Sequence, residues 1–248
     1  MTTQPELVWY VSYGSNMYAD RLTCYVAGGT PPGAQRTYSG CRDRRPPRRT
    51  IGCDITGGVY FATESQVWGG GRAFYDPELV GTAAARAYLI TAEQFTDIAA
   101  QEMGRGTGVD TDLGPVLATG RVELGPGRYE TLLHVGDLDG HPFLTFTAPW
   151  HADDVPWTVP SAAYLRMLAA GLREAHGWNV HRVADYLAHL RGARGHWTPA
   201  TIAGLSPAMG GPRSAWSRND ASDAGRHRLL RRQTPSSRLW PSSGGAKG

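Results

Sequence analysis

The first patterned stretch of the chain, Leu7-Val8-Trp9-Tyr10-Val11-Ser12-Tyr13, is a run of β-branched and aromatic residues that predicts a buried strand. Gly14 breaks it, and Ser15 or Asn16 can then cap a helix with Met17, Leu22 and Tyr25 on one apolar face. Residues 28–49 lose periodicity, and prolines in the segment rule out a helix there. Strands are predicted at Thr50–Ile55, Gly58–Ala62, Gly71–Tyr75 and Ala85–Ile90. Thr91 caps a helix over 92–103 in which Phe95, Ile98, Ala99 and Glu102 share one side by i, i+3, i+4, i+7 spacing. A glycine-rich stretch, Gly104–Gly108, follows. Alternating strands Tyr129–Val135 and Pro142–Thr147 then flank a hairpin loop at Gly136–Gly140. Ser161 caps a helix to His176 with Tyr164, Leu165, Leu168 and Leu172 on its inner face, and another helix is expected over Val180–Leu190.

Strands outnumber helices and mix with them, which predicts an α+β domain over residues 6–200, a barrel-like mixed sheet with flanking helices. Beyond Leu205, Ser, Gly, Pro and Arg dominate, and residues 206–248 are expected to be a disordered basic tail. Charge sharpens that division. Eight of the 25 basic residues but only two of the 22 acidic ones lie in 206–248, so the net +3 of the chain becomes −3 over residues 1–205. The basic excess belongs to the tail, which argues against a nucleic-acid-binding domain.

No apolar run approaches a membrane span, and the apolar stretch at Leu7–Val11 is too short for a signal peptide, so a cytoplasmic protein without a membrane partner is expected. Cys24, Cys41 and Cys53 are odd in number and widely spaced, unlike a disulfide framework or a metal knuckle. The eight histidines form no H-E-x-x-H, and His151-Ala152-Asp153-Asp154, the one close His/Asp grouping, is read as a polar loop. Gly-x-Ser-x-Gly is absent, and Gly104–Gly108 follows a helix where a nucleotide loop would follow a strand. No metal and no cofactor is expected. The arginines of 42–49 are read as a solvated loop.

Two features carry candidate chemistry. The strand–glycine–helix junction at Tyr13-Gly14-Ser15-Asn16 gathers backbone N–H groups at one point, a place for an anion or oxyanion. Glu102 lies on the core-facing edge of its helix, where a carboxylate must find a partner or shift its pKa. Glu93, in the first turn of the same helix, better serves the dipole, and Glu64 lies in a loop.

Tyr13-Gly14-Ser15-Asn16 after an apolar strand resembles the substrate loop of the gamma-glutamylcyclotransferase-like family. Gly57–Ala62, Ala85–Ile90, Ala99–Glu102, Gly127–Leu132 and Pro160–Gly177 follow in that family's order, so the resemblance spans roughly Val8 to Gly177. Met103 stands where the family usually has glycine, and the 26 residues between Glu102 and Tyr129 exceed its core spacing. The resemblance implies Glu102 as general acid/base and a substrate cradle of Tyr13, Gly14, Ser15, Asn16 and Met17, with Tyr129 on the pocket wall. The implied partner is a small γ-glutamyl or other amide substrate whose α-amine attacks its own γ-amide, releasing 5-oxoproline and an amine. Two alternatives stand beside it: an amide hydrolase or deacetylase using the same carboxylate to activate water, and a non-catalytic binding module. The leaving amine and the oligomeric state stay open.

Overall fold

The computed structural model describes residues 5–31, 37–205 and 227–229. In chain order its elements begin with β1 (Leu7–Ser12), a single 3-10 turn (Ser15–Met17) and α1 (Ala19–Ala27). Next come β2 (Arg49–Thr56), β3 (Gly58–Glu64), β4 (Gly71–Asp76), β5 (Thr82–Thr91), α2 (Ala92–Glu102) and α3 (Gly114–Thr119). They are followed by β6 (Arg121–Glu123), β7 (Thr131–Leu138), β8 (His141–Thr147), α4 (Ala162–His176), α5 (Val180–His189), α6 (Pro199–Gly204) and β9 (His227–Leu229).

A seven-stranded mixed sheet runs in the order β6-β7-β8-β1-β5-β2-β9, and β3 with β4 makes a separate two-stranded ribbon. The α+β class expected from the pattern is therefore the observed one. Three short elements went unpredicted: α3, β6 and α6, each of six residues or fewer. Such lengths are too short for an apolar period to register. Of the tail, residues 206–226 and 230–248 lie outside the described residues. His227–Leu229, expected to be disordered, instead form β9, paired parallel with β2.

Strand β1 lies between β5, antiparallel, and β8, parallel, so it is buried on both faces. Its alternation divides the core. Val8 and Tyr10 pack with Leu22, Tyr25, Phe95 and Ile98 under α1 and α2. Trp9, Val11 and Tyr13 pack with Leu165, Leu168, Leu172 and Leu187 under α4 and α5. Each fully buried large apolar side chain contributes about 1.5–3 kcal/mol. Two glycines set how closely α4 approaches. A Cβ on Gly52 of β2 would lie 2.2 Å from the Ala175 carbonyl oxygen, and one on Gly171 would lie 2.7 Å from Met17 Cβ. Helix α4 thus rests on both the sheet and the turn that follows β1. A third cluster, with Tyr60, Phe74 and Ala152, joins the β3–β4 ribbon to the segment after β8.

Candidate functional site

Strand β1 delivers the chain to Gly14, where it bends into the 3-10 turn closed by Met17 N–H to Gly14 O (3.0 Å) and Tyr18 N–H to Ser15 O (3.2 Å). The turn is fixed from behind by β5. Tyr88 donates its hydroxyl to Asn16 O (2.8 Å) and Met17 O (3.1 Å), and Arg86 Nη1 donates to Met17 O (3.0 Å). Arg86, wholly buried, also pairs with Glu174 Oε1 of α4 at 2.8 Å, while Glu174 Oε2 accepts from Ala19 N–H at 3.3 Å. One ion pair therefore ties β5, α4 and the start of α1 around the turn.

On its other side the turn faces a cavity of about 110 Å³. Glu102 enters it from the last residue of α2. The helix is set by a capping box between Thr91 and Gln94, and by Gln101 Nε2 donating to Tyr25 O of α1 at 3.0 Å. Asn16 Nδ2 donates both to Glu102 Oε1 and to the Tyr10 hydroxyl oxygen, at 3.1 Å each, leaving its buried Oδ1 without a partner. Burial, then the Glu102 charge, raises the Tyr10 pKa, and the same two causes raise that of Tyr25. Both phenols stay protonated beside the carboxylate.

Arg21 of α1 also lines the cavity and is 4 % exposed. Its Nε donates to Ser15 Oγ (2.8 Å), and Nη2 donates to the hydroxyls of Tyr38 (3.1 Å) and Tyr25 (3.4 Å). Its buried Nη1 has no partner. Burial opposes its charge, but the Tyr25 and Tyr38 oxygens and Glu102 outweigh burial and raise its pKa. Trp68, in the β3–β4 loop, covers the guanidinium with its ring centroid 5.3 Å away. A buried cation lacking one hydrogen bond, in a cavity, is a site for an anion.

The structure brings Tyr13, Gly14, Ser15, Asn16, Glu102 and Tyr129 to this one cavity. Tyr13 is locked by its hydroxyl to Phe146 O (2.8 Å), and Tyr129 by its hydroxyl to Ala73 O (3.1 Å) with its ring stacked on Phe74. Met17 is the exception. Its side chain is 2 % exposed in the core under α4, and its N–H is spent on Gly14 O, so it is a prop of the loop outside the cavity lining. Nor do Ser15 or Asn16 cap a helix: α1 starts from Tyr18 without a side-chain cap, because the Asn16 amide is turned to Glu102. Glu93 pairs with Arg42 at 3.5 Å, and Glu64 Oε1 accepts from Gly70 N–H at 2.9 Å.

Sequence reasoning missed Tyr10, Arg21, Arg72 and Tyr164, all of which line the cavity. Arg21 had a signal, since Met17, Arg21 and Tyr25 repeat at i, i+4, i+8, a charge on the apolar face. In the 42–49 loop, Arg42 is held by Asp97 (3.0 Å), Arg45 by Asp43 (2.7 Å), Arg48 by Glu6 (3.4 Å) and Arg49 by Asp139 (2.8 Å). Among the described residues no helix is long and apolar enough to cross a membrane, and no group of three or more His, Cys, Asp or Glu is arranged to hold a metal ion.

No family model matches the chain. A curated relative, histone deacetylase 5 of Arabidopsis thaliana, is 33% identical over 201 residues, 73% of this chain. The chain spans only 30% of that protein's length. Among solved structures, a gamma-glutamyl cyclotransferase matches over 81% of this chain and 100% of its own, with a TM-score of 0.43 and 14% identity. An uncharacterized protein from Homo sapiens matches over 81% of this chain and 98% of its own, with a TM-score of 0.44 and 14% identity.

Proposed function

We propose that the cavity opens a γ-glutamyl amide by cyclotransfer, with Glu102 as the proton carrier. The observation that carries this reading is that Glu102, held by Asn16 at 3.1 Å, lines the same cavity as Arg21 with its unpartnered Nη1. A γ-glutamyl unit carries an α-carboxylate and an α-ammonium side by side, which need a fixed cation and a fixed base. Arg21 would take the carboxylate and Glu102 the ammonium. The glutamyl unit would then lie inside the cavity with the amine half toward its mouth.

The proton balance needs only one carboxylate. Glu102 removes a proton from the α-ammonium, and the freed amine attacks the γ-carbonyl carbon. Glu102 returns that proton to the amide nitrogen as the carbon–nitrogen bond breaks. The ring nitrogen then gives up a second proton by the same path. The products are 5-oxoproline and a protonated amine. Holding the two ends of one molecule together supplies up to about 7–11 kcal/mol of the barrier, and the positioned carboxylate a further 10²–10⁴-fold, approximately.

The test is release of 5-oxoproline from a panel of γ-glutamyl amides, read by mass spectrometry. We expect turnover, reduced about 10²–10⁴-fold in Glu102→Gln. Full turnover in that variant would sink the reading. The name of the plant relative motivates a second arm with acetylated amides, since hydrolysis at the same carboxylate would release acetate and no 5-oxoproline.

A further inference from the structure

A buried phenol on β5 is joined to Glu102 through a single residue of the turn. Tyr88 is 1 % exposed, and its one hydroxyl proton is shared between Asn16 O (2.8 Å) and Met17 O (3.1 Å). Met17 O also accepts from Arg86 Nη1 at 3.0 Å, so the bond to Asn16 O is what the Tyr88 hydroxyl adds to the Arg86 fastening. The backbone of Asn16 is thereby pinned to β5. Its side-chain amide reaches two other elements: Nδ2 donates to Glu102 Oε1 of α2 and to the Tyr10 hydroxyl oxygen of β1, each at 3.1 Å. The ring of Tyr88 supports the second of those acceptors, stacking on Tyr10 with centroids 6.3 Å apart and planes at 24°. Tyr88 therefore holds Asn16 by its backbone and, through Tyr10, by its amide. A 3-10 turn of three residues has few bonds of its own, so what it is tied to sets its orientation. Glu102 is the last residue of α2, where a helix frays, and its rotamer depends on a fixed donor.

We propose that Tyr88 is a positioning residue for the proton carrier: its hydroxyl fixes Asn16, and the Asn16 amide fixes Glu102 against the substrate amine. This inference rests on the cyclotransfer reading, in which one carboxylate serves two nitrogens of the substrate in succession. Such a carrier must keep its place through both transfers, and a displacement of about 1 Å costs a reaction of this kind about 100-fold. Tyr88 itself is not among the side chains that line the cavity, so it acts through Asn16 and touches no substrate. Its effect falls on turnover. Arg21, which lines the cavity, acts on binding instead.

Tyr88→Phe keeps the ring and removes only the hydroxyl. In the full chain, with a γ-glutamyl amide as substrate, we expect kcat for 5-oxoproline release to fall about 10- to 100-fold while KM changes by about threefold or less. The same substitution added to Glu102→Gln should lower the residual rate by about twofold or less, because an absent carboxylate cannot be misplaced. A role confined to holding the fold would give equal losses in both backgrounds, and that result, or an unchanged kcat in Tyr88→Phe, overturns the proposal. Asn16→Ala tests the other link should Tyr88→Phe fail to fold. A fall in kcat that disappears in Glu102→Gln supports the relay, and unchanged kcat rejects it, since Tyr88 would then have nothing to act through. If no γ-glutamyl amide yields 5-oxoproline, the cyclotransfer reading fails by itself, and crystal structures of the full chain and of Tyr88→Phe still decide the positioning role. Loss of the Asn16–Glu102 hydrogen bond in the variant alone supports it; the same bond in both rejects it.

Discussion

The two sides of the Tyr13–Met17 turn each carry a buried arginine, and the two differ in what the guanidinium meets. On the sheet side Arg86, with no exposed surface, faces a carboxylate, Glu174, and a carbonyl, Met17 O. On the cavity side Arg21, only 4 % exposed, faces neutral hydroxyls and keeps one nitrogen without a partner. Removing a guanidinium from water costs several kcal/mol in either place. At Arg86 the chain itself supplies the counterion, so the charge fastens three elements together. At Arg21 the carboxylate of Glu102 favours the charge but forms no ion pair with it among the described residues, so one guanidinium nitrogen is left for a ligand. Burial alone therefore does not tell a structural charge from a binding charge; the partner does.

The largest effect expected from this division concerns the phenols. Burial, as the leading cause in each case, raises the pKa of Tyr10, Tyr13, Tyr25, Tyr129 and Tyr164. Folding thus favours their protonated forms. Their contribution is fully present below the unfolded value of about 10 and is lost as pH rises from there toward the folded values, at about 1.4 kcal/mol per phenol per pH unit. Urea denaturation should show stability falling by several kcal/mol between about pH 9 and about pH 11. A flat profile across that interval would mean that the phenols titrate within the folded state, and that the cavity side is wet.

The sheet side should answer next. Arg86→Met strands the Glu174 carboxylate, which we expect to cost about 3–5 kcal/mol of unfolding free energy, with the lower end favoured because Glu174 keeps 16% side-chain exposure. Adding Glu174→Leu should recover most of the loss, because the cost lies in the unpaired charge. If the double variant is as unstable as the single one, the pair is not the fastening described above.

The same division explains what the sequence could and could not disclose. The strand Leu7–Tyr13, the capped helix ending at Glu102 and the helix from Ser161 were legible because their apolar periods run for two turns or more, or for several alternations. Glu102 stood out because a carboxylate on an apolar face is anomalous in sequence alone. Arg72 gave no such sign. It sits in a six-residue strand, and its place at the cavity depends on Tyr129 and Tyr164, which hold Ala73 from loops and helices far along the chain. Met17 failed in the opposite way: it belongs to the loop by sequence, yet the missing side chain of Gly171 lets α4 draw it into the core. Contacts of long range decide such positions, and local pattern does not contain them.

The smallest expected effect is the sharpest test of the comparison. Arg21→Met removes a cation whose bonds to Ser15, Tyr25 and Tyr38 are each worth about 1.5–3 kcal/mol, but it also relieves the cost of taking a guanidinium out of water. These terms oppose each other, so we expect unfolding free energy to change by about 1 kcal/mol or less. Substrate binding has no such compensation. With Arg21 gone, an α-carboxylate would be buried unpaired, and KM for a γ-glutamyl amide should rise about 10- to 100-fold while kcat changes far less. A loss of stability as large as that of Arg86→Met, with KM unchanged, would make Arg21 a second fastening and remove the inner anion site. The opposite pattern, stability kept and KM lost, would separate the two arginines by function although burial and residue type make them alike.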